Sequence, residues 1–207
     1  MNLKIPTPCV AEVEKYLNIW NTAKEYEKYR YQEKSVVMMF KEKYPANTKI
    51  EEILVKVSVL NDFYGTNIRD TFSVAQHIVN IANIDSRLVN ADIALIDDIA
   101  RVKIKGKEIR FYSFATKYCS HHNPTQYPIF DNFVSKVLVH FEKQNQFFNK
   151  QNQFYSFKVN DLRGYDLYKT VVFEFRKFFG LERFCLRKLD LYLWSLGKEY
   201  FSKNITV

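Results

Sequence analysis

The stretch Phe111-Tyr-Ser-Phe-Ala-Thr-Lys-Tyr-Cys-Ser120-His-His-Asn-Pro-Thr-Gln-Tyr-Pro-Ile-Phe130-Asp-Asn-Phe-Val134 decides the fold. Phe111 to Ser120 holds neither glycine nor proline and predicts a helix. His121 to Pro128 contains Pro124 and Pro128 and predicts a loop. Asp131 then precedes Val134, Val137, Leu138 and Phe141, whose helical spacing predicts a second helix with the aspartate at its start.

Just upstream the pattern changes. Arg101-Val-Lys103-Ile-Lys105-Gly106-Lys107-Glu108-Ile109-Arg110 alternates charged and apolar residues around one glycine, which predicts a short β-hairpin or extended loop near 102–110. Elsewhere the periodicity is helical. Val13, Tyr16, Leu17 and Trp20 lie at i, i+3, i+4, i+7 in a region that predicts two helices ending at Tyr44-Pro45, with a break near Asn18–Thr22. Thr48-Lys-Ile-Glu51 reads as a capping box for a helix striped with Ile53, Val57 and Leu60, which gives way to a loop over Asn61–Asn67. Further helices are predicted from about Ile68 to Ile81, from Asp85 or Ser86 to Leu88, from Asp92, and over about 165–179 and 183–201, the last two separated by Gly180. Lys143–Phe154 repeats Lys-Gln-Asn-Gln-Phe and predicts a solvated loop. The fold class is therefore all-α. The organisation is a single unit of 207 residues or two helical lobes, a middle of about 48–141 and a second lobe of 1–46 with 155–207.

Composition narrows the class. Hydrophobic residues make up 47% and charged residues 26%, as in globular proteins. Glycine and proline number 5 each, too few for the turns of a many-stranded sandwich. No stretch approaches the ~20 apolar residues of a membrane span, and the N-terminus has no apolar signal core, so no membrane association is expected. Cys9, Cys119 and Cys185 are odd in number and widely spaced, which fits a reducing cytoplasm better than a disulfide framework or a zinc site. No HExxH, Walker or GxSxG motif occurs, and no metal or cofactor is expected. The net charge of +8 is uneven: residues 101–207 hold 19 basic and 9 acidic side chains, whereas 47–100 hold 4 and 8. A basic half of this kind points to a polyanion, most commonly nucleic acid.

The order of helix, proline loop and carboxylate resembles the helix-hairpin-helix superfamily of DNA glycosylases. Pro128-Ile-Phe-Asp131-Asn-Phe-Val134 stands where that superfamily has a segment like Pro-Val-Asp-Thr-His-Val, with one extra residue. The helix before Asn61, the loop to Asn67 and the following helix are similar to its helix, DNA-penetrating loop and next helix. The likeness spans roughly residues 50–141. It implies a protein that binds double-stranded DNA and, if an enzyme, a monofunctional N-glycosylase that excises a flipped base. Asp131 would be the catalytic carboxylate, stabilising positive charge on the sugar or activating water. From the residues alone the same aspartate reads first as a helix cap, a position that aspartate favours in any helix. Phe63 and Tyr64 fall where the superfamily inserts a side chain into the duplex, although large aromatics also anchor loops in a core. Two departures bear on chemistry. The lysine nucleophile of bifunctional members, about eighteen residues before the aspartate, maps to Tyr112 or Ser113, so no Schiff base is expected. The phosphate-holding glycine hairpin is replaced by Lys105-Gly106-Lys107, where Arg101, Lys103, Lys105, Lys107 and Arg110 supply charge toward phosphate or form a solvated edge. The alternative from another class is a non-catalytic nucleic-acid-binding or protein-interaction module with the same fold.

Overall fold

A computed structural model describes residues 5–150, 153–154 and 156–202. In chain order the elements are α1 (Val10–Thr22), a 3-10 turn at Lys24–Tyr26, and α2 (Glu27–Met38), which continues into a π-helical turn at Met39–Lys43. Then come α3 (Ile50–Tyr64), α4 (Thr71–Val79), α5 (Ile84–Val89) and α6 (Leu95–Ala100). The antiparallel strands β1 (Arg101–Ile104) and β2 (Lys107–Arg110) lead into α7 (Tyr112–His122) and α8 (Asn132–Asn145). Two-residue strands β3 (Asn149–Lys150) and β4 (Gln153–Phe154), a 3-10 turn at Asp161–Arg163, α9 (Tyr165–Phe178) and α10 (Leu186–Phe201) complete the chain. Helix accounts for 67%, so the protein is mostly helical, with the short hairpin where residue alternation predicts it.

The chain divides into two compact units, residues 27–129 and residues 1–26 with 130–207. In the second, α8 and α10 pack closely. A Cβ on Gly197 would lie 2.7 Å from Phe133 Cβ and 2.8 Å from the Phe133 carbonyl oxygen, so only glycine allows the two backbones to approach this far. Val134, Val137, Leu138 and Phe141 of α8 and Leu189, Leu193 and Leu196 of α10 are buried at helical spacing around this contact. In the unit 27–129, Ile53, Val57 and Leu60 of α3 and Phe114, Ala115 and Tyr118 of α7 are buried. At the hairpin tip Lys105 and Gly106 both have positive φ, 50° and 79°, the backbone of a type I′ turn, which matches the twist of the paired strands.

Several boundaries differ from those read in the sequence. The first break falls at Ala23, just beyond Asn18–Thr22. The capping box does not form: α3 starts after Lys49, whose side chain makes no cap bond and pairs with Glu52 at 3.1 Å instead. The helix also runs on through Asn61–Tyr64, leaving a shorter loop than Asn61–Asn67. Gly65 ends it with φ 57°, and Asn61 reaches forward to accept from the Ile68 N–H at 2.8 Å and donate to its carbonyl at 2.9 Å. Asp70 caps α4 by accepting from the Ser73 N–H at 3.0 Å, so that helix begins at Thr71 and not at Ile68. Asn83, not Asp85 or Ser86, precedes α5, because Asp85 is drawn to Asn47. Helix α10 begins at Leu186, three residues later than predicted. His121 and His122 lie in the last turn of α7 and not in a loop, since the chain leaves the helix only at Asn123. Phe147 and Phe148 are buried, so the Lys143–Phe154 tract is not simply solvated; its residues 151 and 152 lie outside the described residues.

Candidate functional site

The hairpin sorts its five cations. Arg110 donates to Asp97 through Nε at 3.0 Å and Nη2 at 2.6 Å, and its guanidinium lies 4.4 Å from the centre of the Tyr112 ring. Arg101 pairs with Glu108 across the strands at 3.0 Å and with Asp97 at 3.6 Å. Both arginines thereby pin the base of the hairpin to α6. Lys103, Lys105 and Lys107 are exposed and form no ion pair among the described residues. Arg101 and Lys103 also line a polar groove of about 330 Å³ with Ser73, Gln76, His77 and Asn80 of the α4 region.

Helix α7 presents a polar row at i, i+4, i+8. Lys117, only 4% exposed, donates from Nζ to Ser113 Oγ at 2.6 Å and lies 5.5 Å from the centre of the Tyr64 ring. The Tyr64 hydroxyl is 3.0 Å from His121 Nε2. Tyr64 at the end of α3, Ser113, Lys117 and His121 thus form one connected line, which brings together two of the residues singled out in the sequence. Phe63, its neighbour, is half-buried.

A second cluster surrounds Lys56, which is fully buried. Its Nζ donates to the carbonyls of Tyr44 at 3.1 Å and Ala46 at 2.9 Å and to Asn47 Oδ1 at 2.7 Å, and lies over the rings of Phe40 and Tyr118 at 5.4 and 5.5 Å. Tyr118 also donates to Asn47 Oδ1. Asp85 accepts from the Asn47 backbone N–H at 3.0 Å and from its Nδ2 at 2.5 Å. Burial pushes the Lys56 ammonium down to about 8, against the opposing pull of Asp85 and Glu52. His122 Nε2 is 3.4 Å from Lys56 Nζ. Burial, then the charges of Lys56 and Lys41, hold its basicity well below the ordinary histidine value, so it is neutral at pH 7. Burial likewise lowers Lys41 and raises the Cys119 thiol, which disfavours a reactive thiolate at Cys119.

Lys56, Asn47 and Lys117 were given no role in the sequence reading, where Asp85 stood only as a helix start and His121 only as a loop residue. The available signal was a lysine on an apolar stripe: Ile53, Lys56, Val57 and Leu60 stand at i, i+3, i+4, i+7. Asp131 lies in the other unit and caps α8, accepting from the Phe133 N–H at 2.7 Å. Among the described residues no group of three or more His, Cys, Asp and Glu gathers in a way that could hold a metal ion. No described helix is long and apolar enough to cross a membrane.

Residues 12–126 match the family HI_0787_N, N-terminal domain. This chain belongs to that family. An uncharacterized protein of Haemophilus influenzae is 46% identical to it over 158 residues, covering 76% of this chain and 72% of the relative. No solved structure matches. The span matched to HI_0787_N contains the hairpin, the α7 row and the Lys56 cluster, whereas Asp131 lies beyond it.

Proposed function

We propose that this protein binds nucleic acid, double-stranded DNA first, through the β1–β2 hairpin, on a helical arrangement like that of the helix-hairpin-helix DNA glycosylases. The observation that carries this reading is the division of labour on the hairpin. Arg101 and Arg110 are held by carboxylates and stiffen it, while Lys105 stands exposed in the tight turn and Lys103 and Lys107 stand exposed on the strands that flank it. A stiff, lysine-tipped turn suits a phosphate backbone, whose affinity comes from the counterions it releases. The test is binding of a labelled duplex over a salt series. Replacing Lys103, Lys105 and Lys107 with Gln lowers the slope of log K against log salt by about 2–3, roughly one unit per lost phosphate contact. An unchanged slope rejects the hairpin as the contact.

Base excision with Asp131 as the essential carboxylate is the second reading. The cap bond from the Phe133 N–H turns that carboxylate onto its own helix, which supports the capping role of Asp131 ahead of excision. Duplexes containing damaged bases, treated with the protein and then hot alkali, are cut with wild type and left intact with Asp131→Asn if excision occurs. Borohydride trapping on the same duplexes is expected to yield no covalent complex, since the position of the bifunctional members' lysine holds Tyr112 or Ser113.

A further inference from the structure

A cleft of about 490 Å³ opens beside the Lys56 cluster, within the roughly 300–1,000 Å³ of small-molecule sites. Its walls are largely apolar, from Phe40, Pro45, Leu88 and Val89, and its polar groups are Lys41, Asp85, His122 and Asn123. The π turn at Met39–Lys43 shapes it. The Tyr44 N–H reaches back to the Met39 carbonyl at 2.8 Å, and the widened turn packs the Phe40 ring on His122 at 4.9 Å between ring centres. Such turns recur at functional sites.

The charges favour one kind of occupant. Among the described lining residues only Asp85 is acidic, and both its oxygens are engaged by Asn47. The three protons of Lys56 are taken by Tyr44, Ala46 and Asn47. Lys41 differs. Its Nζ donates to the His122 carbonyl, which uses one of three ammonium protons. His122 Nε2 lies 3.4 Å from Lys56 Nζ at the inner side of the cleft. The two cations, Lys41 in the wall and Lys56 behind it, thus outweigh the single carboxylate, Asp85, whose oxygens are turned to Asn47. We propose that this cleft binds a small organic anion with an apolar body, the body against Phe40, Leu88 and Val89 and the anionic group on Lys41. This site is independent of the hairpin and of Asp131.

The test uses 2-naphthoate and its neutral counterpart 2-naphthamide, titrated into the full chain and followed by calorimetry and by backbone amide NMR. Naphthoate binds one to one with a dissociation constant below about 1 mM and shifts the amides of Ala46, Asp85 and Asn123. The amide binds at least about tenfold more weakly, the loss of one charge-assisted hydrogen bond. Lys41→Met weakens naphthoate by a similar factor and leaves the amide unchanged. Val89→Trp, at a residue 77% exposed on the rim, fills the opening and abolishes both while the melting temperature holds. Equal affinity for acid and amide, full affinity in either variant, shifts mapping elsewhere, or no binding in the millimolar range each overturns the proposal.

Discussion

The two units bury their helices by different physics. In residues 1–26 with 130–207, α8 and α10 meet backbone to side chain over Gly197, and the fit is one of shape. In residues 27–129, α3 and α7 each sink a lysine, Lys56 and Lys117, and the fit is one of hydrogen-bond satisfaction. An apolar contact loses what is removed and leaves a cavity, but none of its neighbours is left wanting a polar partner. A buried cation holds its acceptors in place, and removing it leaves them all unsatisfied. The unit that contains the hairpin and the cleft is therefore the one whose interior depends most on single polar side chains.

The largest expected effect breaks that interior. Lys56→Ala strands the Tyr44 and Ala46 carbonyls, leaves Asn47 Oδ1 with Tyr118 alone as donor, opens a cavity, and costs about 3–5 kcal/mol in denaturant melts. Lys56→Met keeps the volume but strands the same carbonyls, so it costs nearly as much. If Met costs only a small fraction of what Ala costs, shape and not satisfaction governs this unit. The pH dependence sharpens the point. The Lys56 ammonium titrates at about 8 in the folded chain and at 10.5 when free, so between these values only the unfolded chain keeps the proton. Stability from this group therefore rises with pH across that window. The burden of burying the charge is complete below about 8 and gone above 10.5. Wild type is expected to gain on Lys56→Met as the pH is raised from 8 to 10.5, and parallel melting curves would refute the assignment.

The matching variant in the other unit is Gly197→Ala. The added methyl meets the Phe133 carbonyl and Cβ below 3 Å, and the overpacking costs about 1–3 kcal/mol by thermal or chemical melts. Phe133→Ala does not relieve it, because the opposing atoms are backbone and Cβ. Smaller again is Asp131→Ala, the loss of a helix cap, at about 1 kcal/mol, with Asp131→Asn near neutral because asparagine caps equally well. A stable Asp131→Asn protein gives the excision assay its meaning, since lost cleavage then reports chemistry and not unfolding. The smallest effect is on the hairpin. Lys103→Gln and Lys107→Gln change stability by less than about 0.5 kcal/mol, as exposed residues outside the ion pairs do. A larger loss would mean that these lysines hold the fold and not a partner.

Local signals made much of this visible in advance. Helical periodicity in Val134, Val137, Leu138 and Phe141 and the aspartate before them located α8 and its cap. Alternation around Gly106 located the hairpin. Errors clustered where a side chain acts at a distance. Asp85 looked like a cap but serves Asn47, 38 residues away. Asn61 looked like a helix stop but closes the loop beyond the helix. His121 and His122 looked like loop residues because of the prolines that follow, yet α7 carries them into contact with Tyr64 and Phe40.

The sequence by itself determined the mostly helical class, the hairpin, the basic excess after residue 100 and the position of Asp131, because each depends on neighbours within a few residues. Tertiary structure alone decided which cations are spoken for. Arg101 and Lys103 are alike in the sequence and differ only because Asp97 and Glu108 fold against one of them. It also turned Lys56 from one more charge on a helix into the buried centre of a cluster beside a cleft, since its three acceptors come from a segment that periodicity leaves blank. The strength of a charge depends on what surrounds it in space, and sequence order does not carry that.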